Sequence, residues 1–92
     1  MVRAFVLYAE QPDPDAYAEH VELCGRVAGA TFRHGPIFGV PGGEPRYRYY
    51  AEFEWPDMDA FKEAARSEEF GATAKDAMAM GVPFDVEFAE LG

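Results

Sequence analysis

Two side chains in the sequence carry groups suited to proton transfer. Glu52 lies between Tyr50 and Glu54 on one face of an alternating stretch, and burial of a carboxyl group favours its protonated form, which suits acid-base work. Arg48 shares that face and favours the ionised form instead. His34 lies on another predicted strand and could act as a base or haem ligand near neutral pH. Glu52 and His34 are the candidate catalytic residues; an arginine-paired carboxylate and a partly exposed strand histidine are the alternatives.

Four further residues are candidate ligand-binding groups. Tyr8 and Tyr50 could hydrogen-bond a polar group of a ligand, or could pack with their hydroxyl groups at the rim of a core. Asp76 is expected either on the solvent-exposed face of the last helix or at the mouth of a barrel. Arg48 completes this set. His20, between Glu19 and Glu22, is expected at the surface.

The sequence contains no motif for other common catalytic, metal-binding or phosphate-binding sites. Cys24 is the only cysteine, and its helical apolar position favours inert burial. The sequence lacks zinc-ligand spacing, and the glycines of residues 39–43 lack the Lys and hydroxyl residue of a phosphate-binding loop. Ser67 lies in no nucleophile motif. We therefore expect neither a metal nor a cofactor.

The composition is that of one small acidic domain. The chain has 92 residues, 49% of them hydrophobic, and a formal net charge of −9. An acidic surface repels nucleic acids and anionic membranes. The N-terminus lacks the features of a signal peptide, and a lone cysteine suits a reducing compartment, so we expect a cytoplasmic protein.

The hydrophobic periodicity predicts strands and helices in alternation. Residues 46–55 alternate clearly between two faces, and residues 41–45 form the strongest turn signal. The pair Gly35-Pro36 predicts an edge strand or a bulge. The predicted strands are residues 2–8, 30–40, 46–55 and 84–91, and the predicted helices are residues 16–27, a segment after Asp57 or Asp59, and residues 72–80 beyond a break at residues 67–71.

This order, βαββαβ, predicts a ferredoxin-like α+β fold with a four-stranded antiparallel sheet over residues 1–92. Right-handed crossovers place the helices on one sheet face. The other face is left open, and a second copy of the chain is expected to cover it, mainly through apolar groups. The predicted assembly is a homodimeric α+β barrel.

Several segments resemble the EthD-like group of dimeric α+β barrel proteins. Residues 2–17, VRAFVLYAEQPDPDAY, are similar to the family's first strand, turn and helix start. Residues 46–70, RYRYYAEFEWPDMDAFKEAARSEEF, are similar to its third strand and second helix, and Asp76 falls where the family often keeps an Asp. The resemblance implies the fold and dimerisation, within a superfamily that includes small monooxygenases, cyclases, decarboxylases and haem-handling enzymes.

One departure from the family bears on function. Members commonly place a His two helical turns after an aromatic residue of the first helix; counted from Tyr17, that position is Gly25. Its absence favours an accessory protein that binds a small apolar or aromatic molecule in a cleft between sheet and helices. The alternative is a cofactor-independent monooxygenase or cyclase acting on an aromatic substrate, with Glu52 or His34 handling protons. A third possibility is a dimer that serves as a partner for another protein.

Overall fold

The structure is a computed structural model that describes residues 1–92. Four strands and three helices follow one another along the chain. Their bounds are β1 Val2–Tyr8, α1 Pro14–Cys24, β2 Thr31–Pro36, β3 Tyr49–Trp55, α2 Met58–Ala65, α3 Glu68–Ala79 and β4 Phe84–Glu90. The ferredoxin-like fold predicted from the sequence is confirmed.

The strands form one antiparallel sheet in the order β2-β3-β1-β4. Strands β1 and β3 lie at the centre, and Val6 pairs with Ala51 on one side and Val86 on the other. Strand β2 lies at an edge, as predicted, and ends at Pro36. An edge strand tolerates proline because the proline nitrogen, which carries no hydrogen, can lie on the side of the strand that faces solvent.

Short polar side chains start each helix. Asp13 accepts a hydrogen bond from the Ala16 N–H at 3.1 Å, and Asp57 accepts one from the Ala60 N–H at 2.8 Å. Ser67 caps α3 by accepting from the Phe70 N–H. The predicted interruption between the two helices at residues 67–71 is therefore too long, because the cap lets α3 begin at Glu68, directly after Ser67.

All three helices pack on one face of the sheet. Val2 and Ala4 of β1 and Phe53 and Trp55 of β3 pack there in one core with Cys24 and other helix residues. Trp55 is fully buried and its indole N–H donates to the Ala28 carbonyl at 3.3 Å. The large residues of β4 share this face, because Phe84, Val86 and Phe88 lie opposite Tyr8, Val6 and Ala4.

The other face, which we call the open face, is less apolar than the sequence analysis expected. Phe5, Leu7 and Tyr50 lie on it, but four charged side chains of β1, β2 and β3 lie beside them: Arg3, Arg33, Glu52 and Glu54. The reason is the register of β4, which turns its aromatic residues toward the helices and Asp85 and Glu87 toward the open face. Covering this face therefore requires accommodating charges as well as apolar groups.

None of the helices has the length and hydropathy needed to cross a membrane.

Candidate functional site

A cavity of about 170 Å³ lies between the sheet and α3. Ten of its twelve lining residues are hydrophobic. The twelve residues come from three strands and two helices: Ala4, Val6, Tyr8, His20, Phe53, Phe70, Thr73, Ala74, Ala77, Phe84, Val86 and Phe88. Val86 and Phe88 are 44% and 58% exposed, so the cavity reaches solvent along the edge strand β4.

His20 is the distinctive polar residue of the cavity. Its side chain is only 5% exposed, and Nδ1 lies 2.8 Å from Oδ2 of Asp76 on α3. The packing of α1 against α3 brings together two residues that are far apart in the sequence. The expectation that His20 lies at the surface is wrong, since Tyr17, His20 and Cys24 form the buried stripe of α1.

The pairing with Asp76 fixes the tautomer of His20. An ionised carboxylate only accepts hydrogen bonds, so Nδ1 carries the proton. In the neutral imidazole, Nε2 is then an acceptor, and the hydrogen bond of the ring to the protein is the one at Nδ1. The cavity therefore has an acceptor nitrogen available in an otherwise largely apolar lining.

Two more polar groups lie near this pair. Tyr8 is 1% exposed, which places it in the interior rather than at a rim, and burial raises the pKa of its hydroxyl well above the usual value. Burial, with a smaller contribution from the Asp76 charge, raises the pKa of the Cys24 thiol to about 12. At neutral pH both groups stay protonated, so Cys24 is unsuited to act as a nucleophile.

Glu52 lies on the open face, on the opposite side of the sheet from the cavity. Oε2 accepts a hydrogen bond from Arg33 at 2.6 Å, and Oε1 accepts one from the Tyr50 hydroxyl at 2.8 Å. Oε1 is also 3.6 Å from Nε of Arg3. Its arginine partners are thus Arg33 and Arg3, not Arg48.

Glu54 completes a charge network with the same two arginines, and we call Arg3, Arg33, Glu52 and Glu54 the ionic cluster. Arg3 and Arg33 donate to Glu54 at 2.9 and 3.2 Å. The bond from Arg3 is the main cause that lowers the pKa of Glu54. Burial, followed by the bond to Glu52, raises the pKa of Tyr50 to about 12.

His34 and Arg48 lie outside the cavity as well. His34 is exposed on edge strand β2, where Nδ1 lies 2.7 Å from the Tyr49 hydroxyl and its ring stacks on Phe32. Arg48 precedes β3 and pairs with Glu44 at 3.5 Å. Of the six predicted site residues, only Tyr8 lines the cavity, and Asp76 reaches it through His20.

Sequence reasoning missed His20 and Thr73 as cavity residues. The spacing of Tyr17, His20 and Cys24, at i, i+3 and i+7, is the signal that places His20 on the buried side of a helix. Nothing comparable marks Thr73, whose hydroxyl donates to the Phe70 carbonyl at 2.6 Å. No cluster of three or more His, Cys, Asp or Glu side chains has an arrangement able to hold a metal ion.

Comparison with known proteins shows which solved structures share this architecture. No protein-family model and no curated protein matches the sequence. Among solved structures, an ethyl tert-butyl ether degradation (EthD) family protein from Bacillus halodurans C-125 is 26% identical with a TM-score of 0.81, over 100% of this chain and 99% of that one. The resemblance to the EthD-like family is confirmed.

Two further solved structures share the fold of this chain. A dimeric ferredoxin-like protein of unknown function from Jannaschia sp. CCS1 is 19% identical, with a TM-score of 0.75 over 98% of both chains. A variant of SnoaB, a cofactor-independent oxygenase from Streptomyces nogalater, is also 19% identical, with a TM-score of 0.63 over 98% of this chain and 91% of that one. At these identities the likeness is one of fold.

Proposed function

We propose that this chain binds a small apolar or aromatic molecule in the cavity between sheet and helices, as an accessory or binding protein. The observation that carries the proposal is the cavity itself, about 170 Å³ with ten hydrophobic residues in its lining. An engineered apolar cavity of about 150 Å³ in another protein stays dry and binds benzene. The volume therefore suits a single aromatic ring.

We further propose that residues 1–92 act as one domain that pairs into a homodimeric α+β barrel through the open face, in the cytoplasm. The open face is not covered by any element of the chain, and Phe5, Leu7 and Tyr50 lie on it. Phe38, fully exposed, lies in the loop beside Tyr50 and Glu52. The Jannaschia protein, similar in fold, is dimeric.

The alternative is a cofactor-independent monooxygenase or cyclase. SnoaB, similar in fold, is a cofactor-independent oxygenase, and His20 could take up a proton at the cavity wall. The residues predicted to handle protons, Glu52 and His34, lie on the open face and at the sheet edge instead. Binding is therefore the better-supported proposal, because it needs only the cavity.

A cavity-filling substitution tests the binding proposal. Ala77 on α3 is 6% exposed and lines the cavity, so Ala77→Leu places a larger apolar group inside it without lowering helix propensity. We expect the variant to lose binding of toluene, followed by ligand-detected NMR, while keeping its thermal stability. Ala79→Leu, on the exposed side of the same helix, should bind as the wild type does.

Two results would contradict the proposal. The first is wild-type protein that shows no toluene binding; the second is Ala77→Leu binding as well as Ala79→Leu does. If Ala77→Leu fails to fold, Ala74→Leu fills the same cavity from a more exposed position of α3. Native mass spectrometry of freshly purified protein adds an independent measurement, since it reports the subunit number and any co-purified small molecule together.

A further inference from the structure

We infer that the ligand of this cavity is a phenol: a single aromatic ring carrying a neutral hydroxyl group that donates a hydrogen bond to Nε2 of His20. This inference rests on the proposed binding function and names its ligand class. It starts from the polar groups of the cavity, which are few and differ in what they can still bind.

His20 contributes an acceptor without a partner. Asp76 holds the proton on Nδ1 at 2.8 Å, which leaves the lone pair of Nε2 for the cavity. A ligand that covers Nε2 without donating to it leaves a buried acceptor unpaired, and a ligand hydroxyl that donates to it avoids that cost. A site of this kind rejects analogues that lack the hydroxyl.

The remaining polar groups agree with a hydroxyl group as the polar part of the ligand. Thr73 uses its own proton on the Phe70 carbonyl and cannot donate to a ligand. Tyr8 also lines the cavity, and its hydroxyl stays protonated at neutral pH because burial raises its pKa. A hydroxyl group, which donates and accepts at once, can therefore donate to His20 and accept from Tyr8.

Charge disfavours ionised ligands. The lining contains no Lys or Arg, and the Asp76 carboxylate lies directly behind His20. An aromatic carboxylate would be desolvated beside a like charge, and an ammonium group would lose its hydration in a largely apolar cavity. A neutral phenol incurs neither cost, and Phe53, Phe70 and Phe84 provide aromatic contacts for its ring.

The test compares p-cresol with toluene, which differ only by the hydroxyl group, in wild-type protein and two variants. In the wild type we expect p-cresol to bind about tenfold more tightly than toluene, by ligand-detected NMR or calorimetry. In His20→Leu the preference should disappear or reverse, because the hydroxyl then lies without its acceptor. In His34→Leu, the matched histidine-to-leucine change on the exposed edge strand β2, the preference should remain.

A second measurement needs only the wild type, in case His20→Leu does not fold. The nitrogen-15 spectrum of the His20 ring should report the tautomer protonated at Nδ1. The Nε2 resonance should move when p-cresol is added and stay in place when toluene is added. Asp76→Ala should shift the ring toward the other tautomer, which identifies Asp76 as a positioning residue.

The outcomes separate the inference from the proposed function. If neither compound binds the wild type, both fail. If toluene binds and p-cresol binds no more tightly, or if Nε2 does not respond to p-cresol, the binding function stands and the phenol inference is refuted. An unchanged preference in a folded His20→Leu variant would also refute it.

Discussion

Replacing Glu52 with glutamine tests how much this buried carboxylate contributes to the stability of the fold. The Glu52 side chain is 10% exposed and serves Arg33, Arg3 and Tyr50. Glutamine keeps the shape and still accepts from Tyr50. Its amide nitrogen, however, presents a second donor where the Arg33 guanidinium already donates.

The expected loss is moderate because the arginines have other partners. A hydrogen bond to a charged group is worth about 1.5–3 kcal/mol when buried, and exposed ion pairs about 0–1 kcal/mol. The Arg33 side chain is 53% exposed and keeps Glu54 at 3.2 Å. We therefore expect Glu52→Gln to lose about 1–2 kcal/mol of unfolding free energy, which for a domain of this size lowers Tm by roughly 5–15 °C.

Denaturant and thermal unfolding at equal protein concentration measure this loss, and Glu54→Gln is the matched control. The Glu54 side chain is more exposed, at 21%, and does not contact Tyr50, so its loss should be smaller. Because each carboxylate can serve both arginines, the double variant should lose more than the sum of the two single variants. A Glu52→Gln protein that cannot fold, or additive losses, would refute this account of the ionic cluster.

Two other measurements follow from the structure. Leu7→Glu places a carboxylate between Tyr50 and Asp85 on the open face, so we expect a folded monomer by native mass spectrometry, while Met78→Glu on exposed α3 stays dimeric; a dimeric Leu7→Glu protein would place the interface elsewhere. Burial raises the pKa of Tyr8, Tyr17 and Tyr50, the last to about 12, so the folded state holds these protons more tightly than the unfolded state. Their contribution to stability is complete below pH 10 and decreases as pH rises above 10, with that of Tyr50 being lost as pH passes about 12. Denaturant midpoints should therefore fall between pH 10 and pH 12, and constant midpoints there would contradict the burial of these hydroxyl groups.

The elements of this protein could be predicted from local pattern. Strand β1 was predicted with its observed bounds, because a run of β-branched and aromatic residues ends at a proline-rich turn. The alternation of β3 predicted which of its residues share a face, since side chains of a strand alternate strictly. The sequence offers Asp13 and Asp15 as N-cap candidates around Pro14, and the structure shows Asp13 in that role.

The candidate site depended on contacts between distant segments. His20 and Asp76 meet only because α1 packs against α3. Glu52 gained Arg33 and Arg3 as partners because β2 and β1 flank β3 in the sheet. Neither pairing has a signature within a single segment.

By itself, the sequence determined the order of strands and helices and hence the ferredoxin-like fold, because periodicity and turn chemistry act over a few residues. Only the tertiary structure decided which face of the sheet the helices cover. That choice places His20 in an apolar cavity and Glu52 in an ionic cluster on the opposite face. Alternation gives each strand two faces, but only packing against the helices decides which of them is buried.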